Sequence, residues 1–276
     1  MLVDAHCHLH DPRLRDALHH SQLLRRATAV NVTHVVSCAC FAADWDALEA
    51  LLRRWEDDCS AALGGSSSRS SSDLGEIGLC SSRRGQAVDA AVQERAFVEQ
   101  LRLAVELNRT CVLHCVGRYG KLLELLLVTH RETKRLPPRI VLHSYGGSAQ
   151  QAAAFLALEK RAPGTRIFFS LNVKQLTDSR FDKAAATCAA VPLSALLLET
   201  DAPDQVPEIS SLERFMKPEG ALGIALDATL AASHGLNEPA LVAVAYARAA
   251  EIREVELSHL AAAVRSNALA AFALPS

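Results

Sequence analysis

Six residues with metal-ligand side chains interrupt or directly follow apolar runs of this chain: His6, His8, Glu76, His114, His143 and Asp201. The first two lie in LVDAHCHLH at 2–10. There, strand alternation turns His6 and His8 to one face and Cys7 to the other. VLHC at 112–115 and VLHS at 141–144 each end an apolar run with a His. Glu76 sits inside LGEIGL at 74–79, and Asp201 follows ALLLET at 195–200. A buried imidazole or carboxylate needs a partner to offset its desolvation. Six of them, spread over five apolar runs, share one explanation, a metal centre. Six ligands exceed one tetrahedral zinc and suit two neighbouring ions, which can clamp both oxygens of an in-line displacement. Glu76 is the natural bridge. His6, His8 and Asp201 complete one set, and His114 and His143 complete the other. Asp201 is also the candidate base for a site water.

Something must bring these residues together, and the apolar runs supply it. They are LVDAH at 2–6, HVVSCA at 34–39, SAALG at 60–64, LGEIGL at 74–79, CVLHC at 111–115, IVLHS at 140–144, RIFFSL at 166–171 and ALLLET at 195–200. Helical patterns follow at 87–108, 118–132, 148–161, 222–234, 239–250 and 255–272. The first of these shows Val92, Ala96, Leu103 and Leu107 broadly at helical spacing. The expected fold is α/β: a TIM-like (β/α)8 barrel forming one domain over 1–276, with the ligands at the C-terminal strand ends. One beat is short. GGSSSRSSSD at 64–73 reads as a flexible linker, giving a shortened crossover between the third and fourth strands.

Hydrophobic residues make up 50% of the 276 and aromatics 5%, so Ala, Leu and Val must build the core. The net charge of −2 offers no general basic field for nucleic acid. A local positive centre remains available, because two divalent ions outweigh two carboxylates and attract an anion such as a phosphodiester. Zinc, manganese or magnesium are the expected ions, and four imidazoles favour the first two. Arg118, Tyr145, Ser170 and Asn172 follow the strand ends and are the expected substrate contacts. The eight cysteines include no CxxC pair, and Cys38 and Cys40 read as packing residues on one strand face. Reduced thiols, a strand expected from residue 2 and the lack of a membrane-length apolar run point to a cytoplasmic, or nuclear, protein.

The motifs DAHCHLH at 4–10, GEIGLC at 75–80, VLHC, HSYGGS at 143–148 and ETDAP at 199–203 resemble the TatD family of metal-dependent deoxyribonucleases, as do NEP at 237–239 and SNALAAF at 266–272. HCVGRYGKLLELL at 114–126 looks closest to a Cut9-interacting branch. The resemblance implies a TIM-like barrel, two divalent metals on the six ligands, hydrolysis of DNA (single strands or ends), and for that branch a protein partner. Two features depart from it. No Gly-x-His-Pro segment precedes GEIGL, and Cys80 stands where the family commonly has Asp. Two other readings are a cyclic amide or ester hydrolase and a binding protein with weakened catalysis. The bridging Glu76, in place of the modified Lys of many related barrels, favours the phosphodiesterase.

Overall fold

The computed structural model describes residues 1–17, 20–51, 53, 74–215, 221–233 and 235–274. Among them the apolar runs form seven strands: β1 (Leu2–Cys7), β2 (Val32–Ser37), β3 (Leu74–Cys80), β4 (Cys111–Val116), β5 (Arg139–Leu142), β6 (Arg166–Asn172) and β7 (Leu196–Glu199). All their pairings are parallel; β1 pairs with β2, and β3 to β7 form a sheet in chain order. Hydrogen bonds beyond the strand ends join the two sheets. The Asp201 N–H donates to the His6 carbonyl at 2.9 Å, and the His8 N–H donates to the Ala202 carbonyl at 2.7 Å. On the other side, the Glu76 N–H donates to the Ala39 carbonyl at 3.2 Å. The strands therefore run β2-β1-β7-β6-β5-β4-β3, and the two ends of that series meet at Glu76. The expected strand at 60–64, the linker at 64–73 and the shortened crossover lie outside the described residues.

Parallel neighbours require crossovers, and helices supply them. Ala90–Glu106 leads to β4, Tyr119–Thr133 to β5 and Ala149–Arg161 to β6. Local chemistry fixes their starts. Asp89 accepts the backbone N–H groups of Ala91 and Val92, and Ser148 and Gln151 form a reciprocal capping box. The helix Ala90–Glu106 carries two apolar sets, and the structure buries one of them. Phe97, Leu101, Ala104 and Val105 are buried, whereas Val92, Ala96, Leu103 and Leu107 face outward. Both sets have helical spacing. The set carrying Phe97 removes more apolar surface from water, and burial decides the rotation.

Strand alternation creates two layers. Cys111, Leu113, Ile140, Leu142, Ile167, Phe169, Leu196 and Leu198 pack in the main core with the helices. Val3, Ala5, Val112, Val141, Phe168 and Leu197 form a second cluster with Ala268, Ala271 and Phe272 of the last helix, Leu257–Phe272. Asn267 of the same helix donates to the Leu193 and Leu196 carbonyls, anchoring it to β7. No helix among the described residues is long and apolar enough to cross a membrane.

Candidate metal centre

His114, His143, Ser170 and Glu199 each stand two residues beyond a member of that second cluster: Val112, Val141, Phe168 and Leu197. A period of two keeps them on one face, one step nearer the C-terminal strand ends. β3 reaches the same level because Gly78 lies opposite His114 in the ladder. Only a residue without a side chain fits there, since a β carbon on Gly78 would lie 1.8 Å from the His114 carbonyl oxygen.

Glu76 stands at the middle of the centre. Its Oε1 lies 2.9 Å from His6 Nε2 and 3.1 Å from His8 Nε2. Its Oε2 lies 3.1 Å from His143 Nε2 and 3.4 Å from His114 Nδ1. Asp201 Oδ1 closes the first group, 3.3 Å from His8 Nε2 and 3.9 Å from His6 Nε2. The structure thus brings all six expected ligands together around Glu76, and His6 with His143 and Glu199 forms a further group of possible donors. Donors bound to one ion at ~2.0–2.2 Å lie roughly 3–4 Å apart, so these separations are of the size that a divalent cation requires. His8 is oriented for this, because its Nδ1 lies 2.8 Å from the Cys38 carbonyl and carries the proton that leaves Nε2 as a donor.

Burial would raise the Glu76 pKa, but the imidazoles of His143, His114 and His6 hold it well below the usual range. Asp201 is likewise depressed against burial, chiefly by His8 and His143. Burial lowers His6. Burial also opposes charge on His8, His143 and His114, yet neighbouring carboxylates raise all three. The site therefore keeps its carboxylates ionised and holds protons on imidazole that a cation would displace.

The buried Glu199 and the half-buried Ser144 support the ligands without having been expected. Glu199 Oε1 accepts the Ser144 N–H at 2.7 Å and the Ser144 hydroxyl at 2.8 Å, and lies 3.7 Å from His143 Nδ1. Ser144 Oγ also lies 3.1 Å from Asp201 Oδ2 and accepts Asn172 Nδ2 at 2.9 Å. The signal for Glu199 was present: a carboxylate directly after three leucines is a buried charge. Cys40 departs from the packing role expected of it. Its Sγ lies 3.6 Å from Glu76 Oε1 and 3.7 Å from His8 Nδ1. Cys7 is buried, as alternation required. Cys80 lies 2.9 Å from Ser82 Oγ and beside His114, and these contacts lower its thiol pKa against the effect of burial.

The expected substrate contacts are placed differently. Tyr145 is fully buried, stacked edge-on to Tyr119 and Phe169, and donates its hydroxyl to the Ser148 carbonyl. Its apolar ring takes it into the core rather than to a substrate-facing rim. Ser170 is fully buried, and Asn172 caps the helix Val173–Thr177 while supporting Ser144. Asn172 is thus a support behind the ligands. Arg118 is paired with Glu94, which offsets its charge.

The C-terminal motifs hold the Asp201 loop. Asn237 donates to the carbonyls of Thr200 (2.7 Å) and Asp204 (2.8 Å), while Glu238 is buried against Arg26. From the β1 side, Asp4 accepts the Thr200 N–H and hydroxyl at 2.9 and 2.5 Å. Burial, opposed by these bonds, pushes Asp4 up to about 8.

Parallel strands that deliver histidines and carboxylates to one end define an α/β protein built around a metal-type centre. The chain belongs to the TatD family: the family model described as TatD related DNase matches residues 67–273. It is 35% identical over 134 residues to the 3'-5' ssDNA/RNA exonuclease TatD of Cronobacter sakazakii, covering 49% of this chain and 46% of that protein. It is 30% identical over 133 residues to the Cut9-interacting protein scn1 of Schizosaccharomyces pombe, covering 40% and 38%. The chain thus spans less than half the length of these two relatives. Among solved structures it resembles YJJV, a TatD homologue from Escherichia coli K12, at TM-score 0.72 and 23% identity over 99% of this chain and 98% of that one, which shows a shared fold.

Proposed function

We propose that the protein is a two-metal phosphodiesterase that hydrolyses single-stranded DNA or DNA ends, on a TIM-like (β/α)8 barrel. One observation carries the reading: the two oxygens of Glu76 face separate donor groups, His6 with His8 and His143 with His114. The exonuclease-named relative supports a nucleic-acid substrate, and the scn1 likeness supports a protein partner. The reduced thiols Cys7, Cys40, Cys80, Cys115 and Cys188 support a cytoplasmic location.

His6, His8 and Asp201 would hold one divalent ion, His114 and His143 the other, with Glu76 shared. Bound there, such ions supply a nucleophile from water at neutral pH and polarise the phosphoryl oxygen. The chain's own task is to place and receive the proton. Asp201 Oδ1 faces the imidazoles, so Oδ2, turned towards Ser144, is the oxygen that receives it. Protonated there, Oδ2 donates to Ser144 Oγ, whose own hydroxyl proton is given to Glu199. Ser144 thereby keeps Asp201 ready to accept, and Asn172 fixes Ser144.

The metal-loaded protein is tested on single-stranded DNA, bis-nitrophenyl phosphate and a dihydroorotate-like amide. Release of nucleotides and nitrophenol is expected, and it is lost in His6→Ala and Asp201→Ala while circular dichroism is unchanged. Turnover of the amide alone would overturn the proposal, as would near-normal activity of either variant at limiting metal.

A further inference from the structure

A cavity of about 330 Å³ lies between the loops that follow β5 and β6, lined by Gly146, Gln175, Arg180, Phe181, Lys183 and Ala184, with Asp182 at its edge. These loops leave the strand ends that carry His143 and Asn172, so the cavity sits at the same end of the sheet as the metal centre. Gln175 ties the two together. Its amide nitrogen donates to the Ser144 carbonyl at 2.9 Å, and Ser144 Oγ lies 3.1 Å from Asp201 Oδ2. Gly146 leaves the floor open, since a β carbon there would meet nothing nearer than the Tyr119 hydroxyl at 3.4 Å. The lining combines an aromatic ring with a free cation. Phe181 is 39% exposed and is held by a fixed turn, in which Asp178 accepts the Arg180 and Phe181 N–H groups. Arg180 is committed to Asp178 and Glu208, and Asp182 Oδ1 accepts the Lys183 N–H. The Lys183 ammonium is exposed and has no ion-pair partner among the described residues. A ring left in water beside a free cation can recover its apolar burial against a planar, anionic ligand.

We propose that this cavity is a nucleotide subsite, which holds one unpaired nucleotide next to the scissile phosphate with its base stacked on Phe181 and its backbone phosphate beside Lys183. The proposal rests on the single-strand nuclease reading above and deepens it. Stacking accepts every base, because each has a π face, and a neighbouring cation tracks the backbone. The subsite thus supplies a grip on a single strand that a net charge of −2 does not provide over the surface at large. A paired base would first have to leave its stack, so the same ring favours single strands over duplex.

The test measures binding of a fluorescent oligothymidylate to the whole chain by anisotropy, with a chelator present so that no strand is cut. An abasic oligomer of the same length keeps the phosphates and lacks the bases. Phe181→Ala should weaken oligothymidylate binding at least about fivefold and leave the abasic oligomer nearly unaffected, whereas Phe181→Trp should bind both as the wild type does. Lys183→Ala should weaken both oligomers and reduce the slope of log affinity against log salt by about 0.7. Gly146→Leu, which fills the cavity, should remove the wild-type preference for the oligomer that carries bases. Circular dichroism of each variant should match the wild type. Equal losses on the two oligomers in Phe181→Ala, or no loss on either, would overturn the subsite alone, and the nuclease reading would stand if metal-loaded wild type still cuts oligothymidylate. Wild-type protein that binds neither oligomer would overturn both. The expected contrast in a wild type that cuts nothing when metal-loaded would refute hydrolysis and leave the subsite in place.

Discussion

Asn237→Ala probes the loop that delivers Asp201. The Asn237 side chain is fully buried and its amide nitrogen donates to the Thr200 and Asp204 carbonyls at 2.7 and 2.8 Å. Thr200 is fully buried, so its carbonyl would be left unpaired, at a cost of ~1–3 kcal/mol. The Asp204 carbonyl belongs to a half-buried residue and adds roughly 1 kcal/mol. Asn237 Oδ1 has no partner, and removing it recovers roughly 1 kcal/mol. The expected net loss is therefore about 2 kcal/mol. A further consequence falls on the metal. Asp201 has a left-handed backbone, φ 60°, which Asp tolerates better than most residues but which its neighbours must hold. Slackening the loop should weaken binding of the ion proposed for His6, His8 and Asp201 by about tenfold, and affect the position proposed for His114 and His143 less. Urea unfolding of the metal-free protein reads the first effect, and metal titration reads the second. Asn237→Asp, which replaces the donor with an acceptor, should be at least as destabilising. A loss below about 0.5 kcal/mol in Asn237→Ala, at unchanged urea dependence, would show that this amide does not hold the loop.

Gly78→Ala should cost about 3 kcal/mol and empty the His114 position, because its β carbon would sit 1.8 Å from the His114 carbonyl oxygen. A loss under 1 kcal/mol on urea unfolding would show that β3 and β4 can separate there at little cost. Burial, opposed by Arg26, pushes Glu238 up from 4.5 to about 7. A raised pKa favours folding while the carboxyl is protonated, so its contribution is full below pH 4.5 and is lost as pH rises towards 7. The stability difference between wild type and Glu238→Gln should then fall by at most about 3 kcal/mol across that window and stay flat above it. A difference that rises with pH would mean that Arg26 outweighs burial.

The readable part of the centre consists of residues that interrupt an apolar run. His114 and His143 break runs of Val and Leu, and the strand period fixes their direction, so their meeting with Glu76 followed once the strands were parallel neighbours. The same logic does not assign the face of the helix Ala90–Glu106, because two apolar sets share the helical period and only contact with the sheet chooses between them. Tyr145 was misplaced for a related reason. Its position beside His143 is legible, but whether its ring turns into the core or out to solvent depends on Tyr119 and Phe169, which are distant in the chain.

Cys40 exposes the deeper limit of a reading based on polarity. A thiol counts as apolar when patterns are drawn, so it breaks no run, and the pattern favours packing over a ligand role although Cys40 lies beside Glu76 and His8. Its neighbours Cys38 and Ala39 act through backbone carbonyls, which every residue type offers and no spacing reveals. Glu199 and Ser144 are intermediate: one is a visible buried charge, while the other is a small hydroxyl whose value comes from standing between two carboxylates. What the sequence encodes legibly is therefore the set of groups that would bind an ion. The contacts that orient those groups depend on backbone placement and on residues that look inert in one dimension. Ser144→Ala should accordingly remove the hydroxyl that joins Asp201 to Glu199 while leaving the six-ligand pattern intact.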